Sequence, residues 1–193
     1  MIAIYGINGV GKTTQVELLV DYLKSLGISA SRQKYPVYDL EPEGPFINKY
    51  LRNEAFRTSN SKTTHELQYI CMKNRFNYEP TLQERLANGE WIVAEDYTST
   101  GVAWGLAWGG DLNYLEEINK NLLHEDLSIL MDGERFLTAI ETTHCNEMDT
   151  ERLNLCKNFL RLLASRYSWA IVNVNDSILE VQKNIKLIVN NLI

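Results

Sequence analysis

Cysteine is scarce in this sequence, and what there is does not pair. Cys71, Cys145 and Cys156, among 193 residues, have no spacing for a bridge framework, and three scattered histidines make no zinc pattern. A disulfide scaffold is excluded, and a reducing cytoplasmic compartment is the natural reading. Long apolar runs are missing too. The longest uncharged stretch, Tyr97–Gly110, is too short and too rich in glycine to cross a bilayer, so no membrane partner is expected. Positive charge is in deficit: 19 basic against 25 acidic residues leave −6. That balance argues against a broad nucleic-acid face, while leaving room for a small pocket that holds one or two phosphates. The start of the chain has no basic stretch before Gly6, unlike a signal peptide. Low-complexity tracts, repeats and linkers do not interrupt it.

What is present is a 45% apolar fraction, enough for a core in a chain about one domain long. Short apolar runs alternate with helical patterns. Met1–Tyr5 is a strand ending at Gly6, and Thr13–Leu26 is a helix closed by Gly27. Ile28–Lys34 reads as a second strand. A helical insertion over about residues 36–88 follows, with helices at Phe46–Arg52 and Thr64–Tyr78, the latter stopped ahead of Pro80, which opens a further helix. Trp91–Ala94, Leu127–Met131 and Trp169–Val174 complete five strands that read as apolar on both faces. Helices are expected at Ser99–Trp108, Leu112–Leu123, around Arg135–Glu141 and at Thr150–Ser165. The last helix starts with a capping box at Ser177 and Glu180 and turns Ile178, Val181, Ile185, Ile188 and Leu192 inward. The fold class is therefore α/β, a single domain over residues 1–193 with a five-stranded, parallel, doubly wound sheet and helices on both faces. Ligands of such sheets bind at the carboxyl ends of the strands.

Chemistry appears at the first such end. Gly6-Ile7-Asn8-Gly9-Val10-Gly11-Lys12-Thr13 fits G-x-x-x-x-G-K-[ST] residue for residue. Glycines let the backbone wrap a polyphosphate with its N–H groups turned inward, and the helix that follows adds its positive end. The pattern assigns Lys12 to β/γ-phosphate oxygens and the Thr13 hydroxyl to Mg²⁺, so a nucleoside triphosphate and Mg²⁺ are the expected ligands. A glycine turn that happens to precede a helix is the bland alternative. The strand before it and the amphipathic helix after it argue for the nucleotide site.

A second strand end carries acid: Trp91-Ile92-Val93-Ala94 runs into Glu95-Asp96. Either carboxylate could order a Mg²⁺-bound water, Glu95 could be a general base, or Asp96 could simply cap the next helix. In the insertion, Gln68, Cys71, Met72 and Arg75 share a helical face that could hold a planar base and its phosphate. A core face with a snorkelling arginine has the same spacing. Thr100, Trp104 and Trp108 either line a pocket or pack. His144 lies in the polar segment Glu141–Glu151 and is expected to be exposed.

With these residues in hand, the chain resembles the thymidylate kinase family of P-loop nucleoside-monophosphate kinases, in order and spacing over essentially its whole length. The cradle continues as Lys12-Thr13-Thr14-Gln15. Tyr35-Pro36 resembles the family's Arg-aromatic-Pro element, and Lys73-Asn74-Arg75 its Ala-Asn-Arg signature. Glu95-Asp96-Tyr97-Thr98-Ser99-Thr100-Gly101-Val102-Ala103-Trp104 resembles Asp-Arg-Tyr-x-x-Ser-x-x-Ala-Tyr. The resemblance implies transfer of a phosphoryl group from ATP to dTMP, with Lys12 and Glu95 catalytic. It places ATP on Gly6–Thr14 and the metal near Thr13, Glu95 and Asp96. The acceptor falls among Tyr35, Pro36, Gln68, Cys71, Arg75, Asp96, Tyr97, Thr100 and Trp104. It also implies a lid over about residues 141–150 and a homodimer, with Thr64–Tyr78 and Ser99–Trp108 as interface helices.

The sequence departs from the family at identifiable points. Asp96 stands where the Asp-Arg-Tyr arginine would be, Cys71 where an aromatic stacks on thymine, and Lys34 where an arginine precedes the aromatic. Neither Ile7–Val10 nor Glu141–Thr150 contains an arginine, and Arg135 and Arg152 flank the lid without matching a motif position. These departures keep two other readings open: a kinase of a free nucleoside or modified pyrimidine, and a nucleotide-binding module with little transfer activity.

Overall fold

The computed structural model describes residues 1–136 and 141–193. In chain order the elements are β1 (Ile2–Tyr5), α1 (Lys12–Ser25), β2 (Ala30–Lys34), α2 (Glu43–Arg52), α3 (Glu54–Ser59), α4 (Thr64–Ala87), β3 (Trp91–Glu95), α5 (Thr98–Ala107), α6 (Leu112–Asn119), β4 (Leu127–Asp132), α7 (Cys145–Met148), α8 (Thr150–Arg166), β5 (Ala170–Asn173) and α9 (Ile178–Val189). The strands form one sheet in the order β2-β3-β1-β4-β5. Every pairing in it is parallel. After β1 the chain crosses to the β2 side, and after β4 to the β5 side, so a crevice opens at the carboxyl ends of the central strands.

Burial explains the order. Central β1 is buried throughout, as are Ile92–Glu95 of β3 and Ser128–Met131 of β4, because helices cover both faces of a parallel sheet. The edge strands differ from the two-face apolar pattern expected of them. Ser31, Arg32 and Gln33 of β2 are half-buried, and Ile171 of β5 is 55% exposed. Each edge strand has only one neighbour, so it needs less apolar surface than a central one.

Three local expectations are also corrected. Pro80 does not divide two helices; it lies inside the single helix α4. Proline removes one intrahelical hydrogen bond, but Pro80 is on the exposed side, where the freed Phe76 carbonyl can turn to water. Buried Arg75, Glu79 and Leu82 pin the helix on both sides of it, and Glu79 accepts a hydrogen bond from the Leu123 amide at 2.8 Å. In α9, Val181, Ile185 and Val189 face inward, while Ile178 is 55% exposed and Leu192, 42% exposed, lies past the helix end. Ser177 caps the Glu180 amide, but the Glu180 carboxylate pairs with Lys183 instead of closing a capping box. The reciprocal box stands at Thr63 and Glu66, heading α4. The helix expected around Arg135–Glu141 falls on residues 137–140 and lies outside the described residues.

Candidate active site

The loop from β1 to α1 is shaped by close approach. A side chain at Gly6 would sit 2.8 Å from the Met131 carbonyl of β4, so only glycine lets the chain leave the sheet there. Gly11 has φ of +87°, and α1 starts at Lys12 with neither a side-chain cap nor an acid in its first turn. Its free N–H groups and positive end therefore stay available to an anion. Lys12 is buried; its Nζ donates to the Gly6 and Ile7 carbonyls at 2.8 and 2.9 Å and lies 3.6 Å from Asp96 Oδ1.

Parallel register assembles the acidic end of β3. Glu95 pairs with Ile4 on one side and Lys34 on the other, and Arg32 is two residues back on the same face of β2. Glu95 is only 2% exposed. Its Oε1 accepts from the Thr13 hydroxyl and from Lys34 Nζ, both at 2.8 Å. Its Oε2 has Arg32 Nη2 at 2.6 Å, a close ion pair without the alignment of a hydrogen bond. Burial works to raise the Glu95 carboxyl, but Lys34, Lys12 and the Thr13 hydroxyl outweigh it and hold it below the usual carboxylate range. A carboxylate engaged in this way is poorly placed to act as a general base. It is well placed to fix the Thr13 hydroxyl.

Asp96 turns the chain from β3 into α5 with φ of +59°, a conformation that aspartate tolerates better than most residues. Its Oδ1 accepts from Thr100 Oγ1 at 3.0 Å, so it braces the first turn of α5. Burial raises its carboxyl pKa, which the nearby Lys12 partly opposes.

One cavity beside the cradle collects all nine residues expected on the acceptor side. It measures about 150 Å³, below the usual range for small-molecule pockets. Arg75 reaches it from α4 while 6% exposed, with Nη1 donating to Asn119 Oδ1 at 3.2 Å. Gly101 of α5 makes that placement possible, since a side chain there would stand 2.5 Å from Arg75 Nη2. Asn74 is fully buried and exchanges two hydrogen bonds with the Val37 backbone, tying α4 to the loop that carries Tyr35 and Pro36. Tyr35, Tyr97 and Trp104 are buried in the wall, and burial raises the Tyr35 phenol. Cys71 lines the cavity with a thiol that burial pushes up, so it is no nucleophile.

Several lining residues carry no motif. Tyr38, Arg52, Glu141, His144, Asn146 and Glu147 are among them. Arg52 holds Glu141 through two hydrogen bonds of 2.5 and 3.1 Å and lies over the Tyr38 ring. His144, expected in solvent, is 5% exposed. It begins the short helix α7, and packing of that turn onto the cavity buries it. Burial and the charge of Arg52 lower its pKa. Within the expected interface stretch Ser99–Trp108, Gly101–Gly105 and Ala107 are buried and Leu106 is partly covered, while Trp108 is 41% exposed.

The family model described as thymidylate kinase matches residues 4–185. A thymidylate kinase of Arabidopsis thaliana is 28% identical over 98% of this chain and 70% of its own length. One from Dictyostelium discoideum is 28% identical over 95% and 81%. A solved thymidylate kinase from Candida albicans, noted for broad substrate specificity, superposes with a TM-score of 0.80 at 22% identity, covering 98% of this chain and 90% of that one. A family match over nearly the whole chain, with a phosphate cradle and a flanking cavity built as described, places this protein in the thymidylate kinase family.

Proposed function

We propose that the protein transfers the γ-phosphoryl group of ATP to dTMP, with Mg²⁺ as cofactor. The observation that carries this reading is the junction of cradle and cavity, where Lys12 and Asp96 stand 3.6 Å apart and nine acceptor-side residues line one wall. An acceptor phosphate oxygen forms the new bond to Pγ while the bond from Pγ to the bridging oxygen breaks, and its electron pair leaves on ADP. A monophosphate dianion has no proton to lose. Glu95, which is ionised and already paired, therefore suits the reaction without acting as a base.

The residues present fit a magnesium ion held mainly by phosphate oxygens and water. Thr13 and Glu95 supply an oxygen pair at the cradle, and no set of three or more acidic, histidine or cysteine side chains could cage a metal among the described residues. The ion would supply charge neutralisation on the polyphosphate. Lys12 binds phosphate, Arg75 orients the acceptor, and the aromatic wall excludes water. The family implies a homodimer, and the exposed Tyr69 and Phe76 of α4 are the apolar residues such an interface would cover.

A free nucleoside acceptor is the second reading. Asp96 favours it, because a carboxylate in the acceptor cavity repels a phosphate and can accept a hydroxyl proton. ADP release with Mg·ATP and a panel of dTMP, other monophosphates and thymidine tests both. Fastest turnover with dTMP supports the proposal. Faster turnover of thymidine replaces it with the second reading, and silence across the panel overturns both.

A further inference from the structure

Two glycines of α5 leave a slot that α4 fills with polar side chains. A side chain at Gly101 would begin 2.5 Å from Arg75 Nη2 and 3.0 Å from Gln68 Oε1, and one at Gly105 would begin 3.3 Å from Gln68 Cγ. Gln68 and Arg75 share a face of α4, two turns apart, as Gly101 and Gly105 share a face of α5. The amide and the guanidinium therefore end side by side over one glycine, in the wall of the acceptor cavity.

Gln68 is only 7% exposed. Its amide makes no hydrogen bond among the described residues, and neither amide atom is sealed from the cavity that it lines. A side chain kept for packing alone would be apolar here, because a largely buried amide without partners costs stability. The neighbouring cation decides how the amide is turned: its oxygen faces Arg75 and its NH2 group points away. Arg75 spends Nη1 on Asn119 at 3.2 Å and leaves Nη2 without a partner among the described residues. The polar atoms along this wall thus run donor, acceptor, donor: Arg75 Nη2, Gln68 Oε1, Gln68 Nε2. Cys71, on the same face, offers a thiol and no ring, so grip on this wall falls to the edge of a base and not to stacking.

We infer that Gln68 is a specificity-determining residue that reads the hydrogen-bonding edge of the acceptor's base and selects an imide. The inference deepens the proposed transfer to dTMP and rests on a pyrimidine acceptor, with or without its phosphate. A thymine or uracil edge presents O4, N3–H and O2: acceptor, donor, acceptor. Arg75 donates to O4, Oε1 accepts from N3–H, and Nε2 donates to O2, so each group is paired. Cytosine presents an NH2 group, a bare N3 and O2. It sets donor against donor at Arg75 and acceptor against acceptor at Oε1. Turning the amide over mends N3 but brings Oε1 against O2, and the clash at Arg75 stays. A site whose buried polar groups are left unpaired rejects the wrong edge more strongly than a missing methyl could. Carbon 5 takes no part in this reading, so it does not separate uracil from thymine.

The test measures binding and turnover in three pairs: dTMP against dCMP, thymidine against deoxycytidine, and dTMP against its N3-methyl analogue. Wild type should favour the intact imide about 10–100-fold in each pair, through KM and Kd more than kcat. Gln68→Met, of nearly the same shape, should shrink each preference about tenfold, with melting temperature and Mg·ATP affinity no lower than wild type. A role in packing alone would move those two and leave the ratios. Wild-type ratios in Gln68→Met, or equal use of the N3-methyl analogue by wild type, overturn the assignment. Turnover of nucleosides but not monophosphates defeats the dTMP reading alone, since the thymidine-to-deoxycytidine ratio still reports on Gln68. Binding of no pyrimidine at all overturns both.

Discussion

The donor and acceptor halves of this site are built in different ways. The donor half is backbone: a contiguous loop, a bare helix end and one buried lysine, specified by Gly6–Thr13. The acceptor half is side chains from α2, α4, α5, α7 and the loops between elements, held by pairings such as Arg52–Glu141 and Arg75–Asn119 that span 89 and 44 residues. Backbone geometry tolerates few substitutions and little variation in ligand. A wall of side chains can be refitted one residue at a time, which is where this chain departs from its family's pattern.

The sharpest way to break the comparison is Lys12→Ala. It should lower turnover by about 10³-fold with every acceptor, since it removes the charge shared by all of them. An effect confined to one acceptor would mean that the two halves are not separable. Glu95→Gln comes next. It leaves the fold of the loop but removes the charge that holds Thr13, Lys34 and Arg32, so the Mg²⁺ needed for half-maximal rate should rise about 10–100-fold. An unchanged Mg²⁺ titration would detach Glu95 from the metal.

Gly101→Ala acts on the acceptor half alone. Its new methyl meets Arg75 Nη2 at 2.5 Å, and the buried guanidinium has little room to yield, so the KM for acceptor should rise about tenfold while Mg·ATP affinity holds. Equal losses on both substrates would contradict that. The smallest effect is expected at His144. Burial, reinforced by Arg52, depresses its folded pKa, so the neutral ring is the native form. Its contribution is fully present above the unfolded value near 6.5 and is lost as pH falls from there through the folded value. Melting temperatures of wild type should therefore drop between pH 7 and 5 by more than those of His144→Gln. Parallel curves would place the proton elsewhere.

The same contrast explains how much could be read from sequence. The strand that ends at the cradle, the helix after it and the acid at the end of β3 follow from local pattern, and all nine residues expected on the acceptor side line one cavity. What was not legible is long-range. Nothing near Asn8 in sequence announces its hydrogen bond to Glu147, and nothing around Arg135 announces that it lies over Gly9. His144 sits among polar neighbours that read as solvent, yet the turn packs inward. At Pro80 the local rule for ending a helix was overridden because buried contacts on both sides keep α4 continuous across it. Ile178 and Leu192 fit the apolar period but are exposed, the first at the start of the last helix and the second past its end.

The 3.6 Å contact between Lys12 and Asp96 is one point at which the two halves touch and exchange charge. When the lysine turns toward a polyphosphate, the aspartate loses part of its counter-charge, and an anionic acceptor meets a more negative wall. This contact therefore adds mutual antagonism between the two nucleotides. By reciprocity, each weakens the other's binding by the same factor, whichever arrives first. An uncharged acceptor escapes that antagonism, so the order and strength of binding at one half carry a signature of what the other half holds.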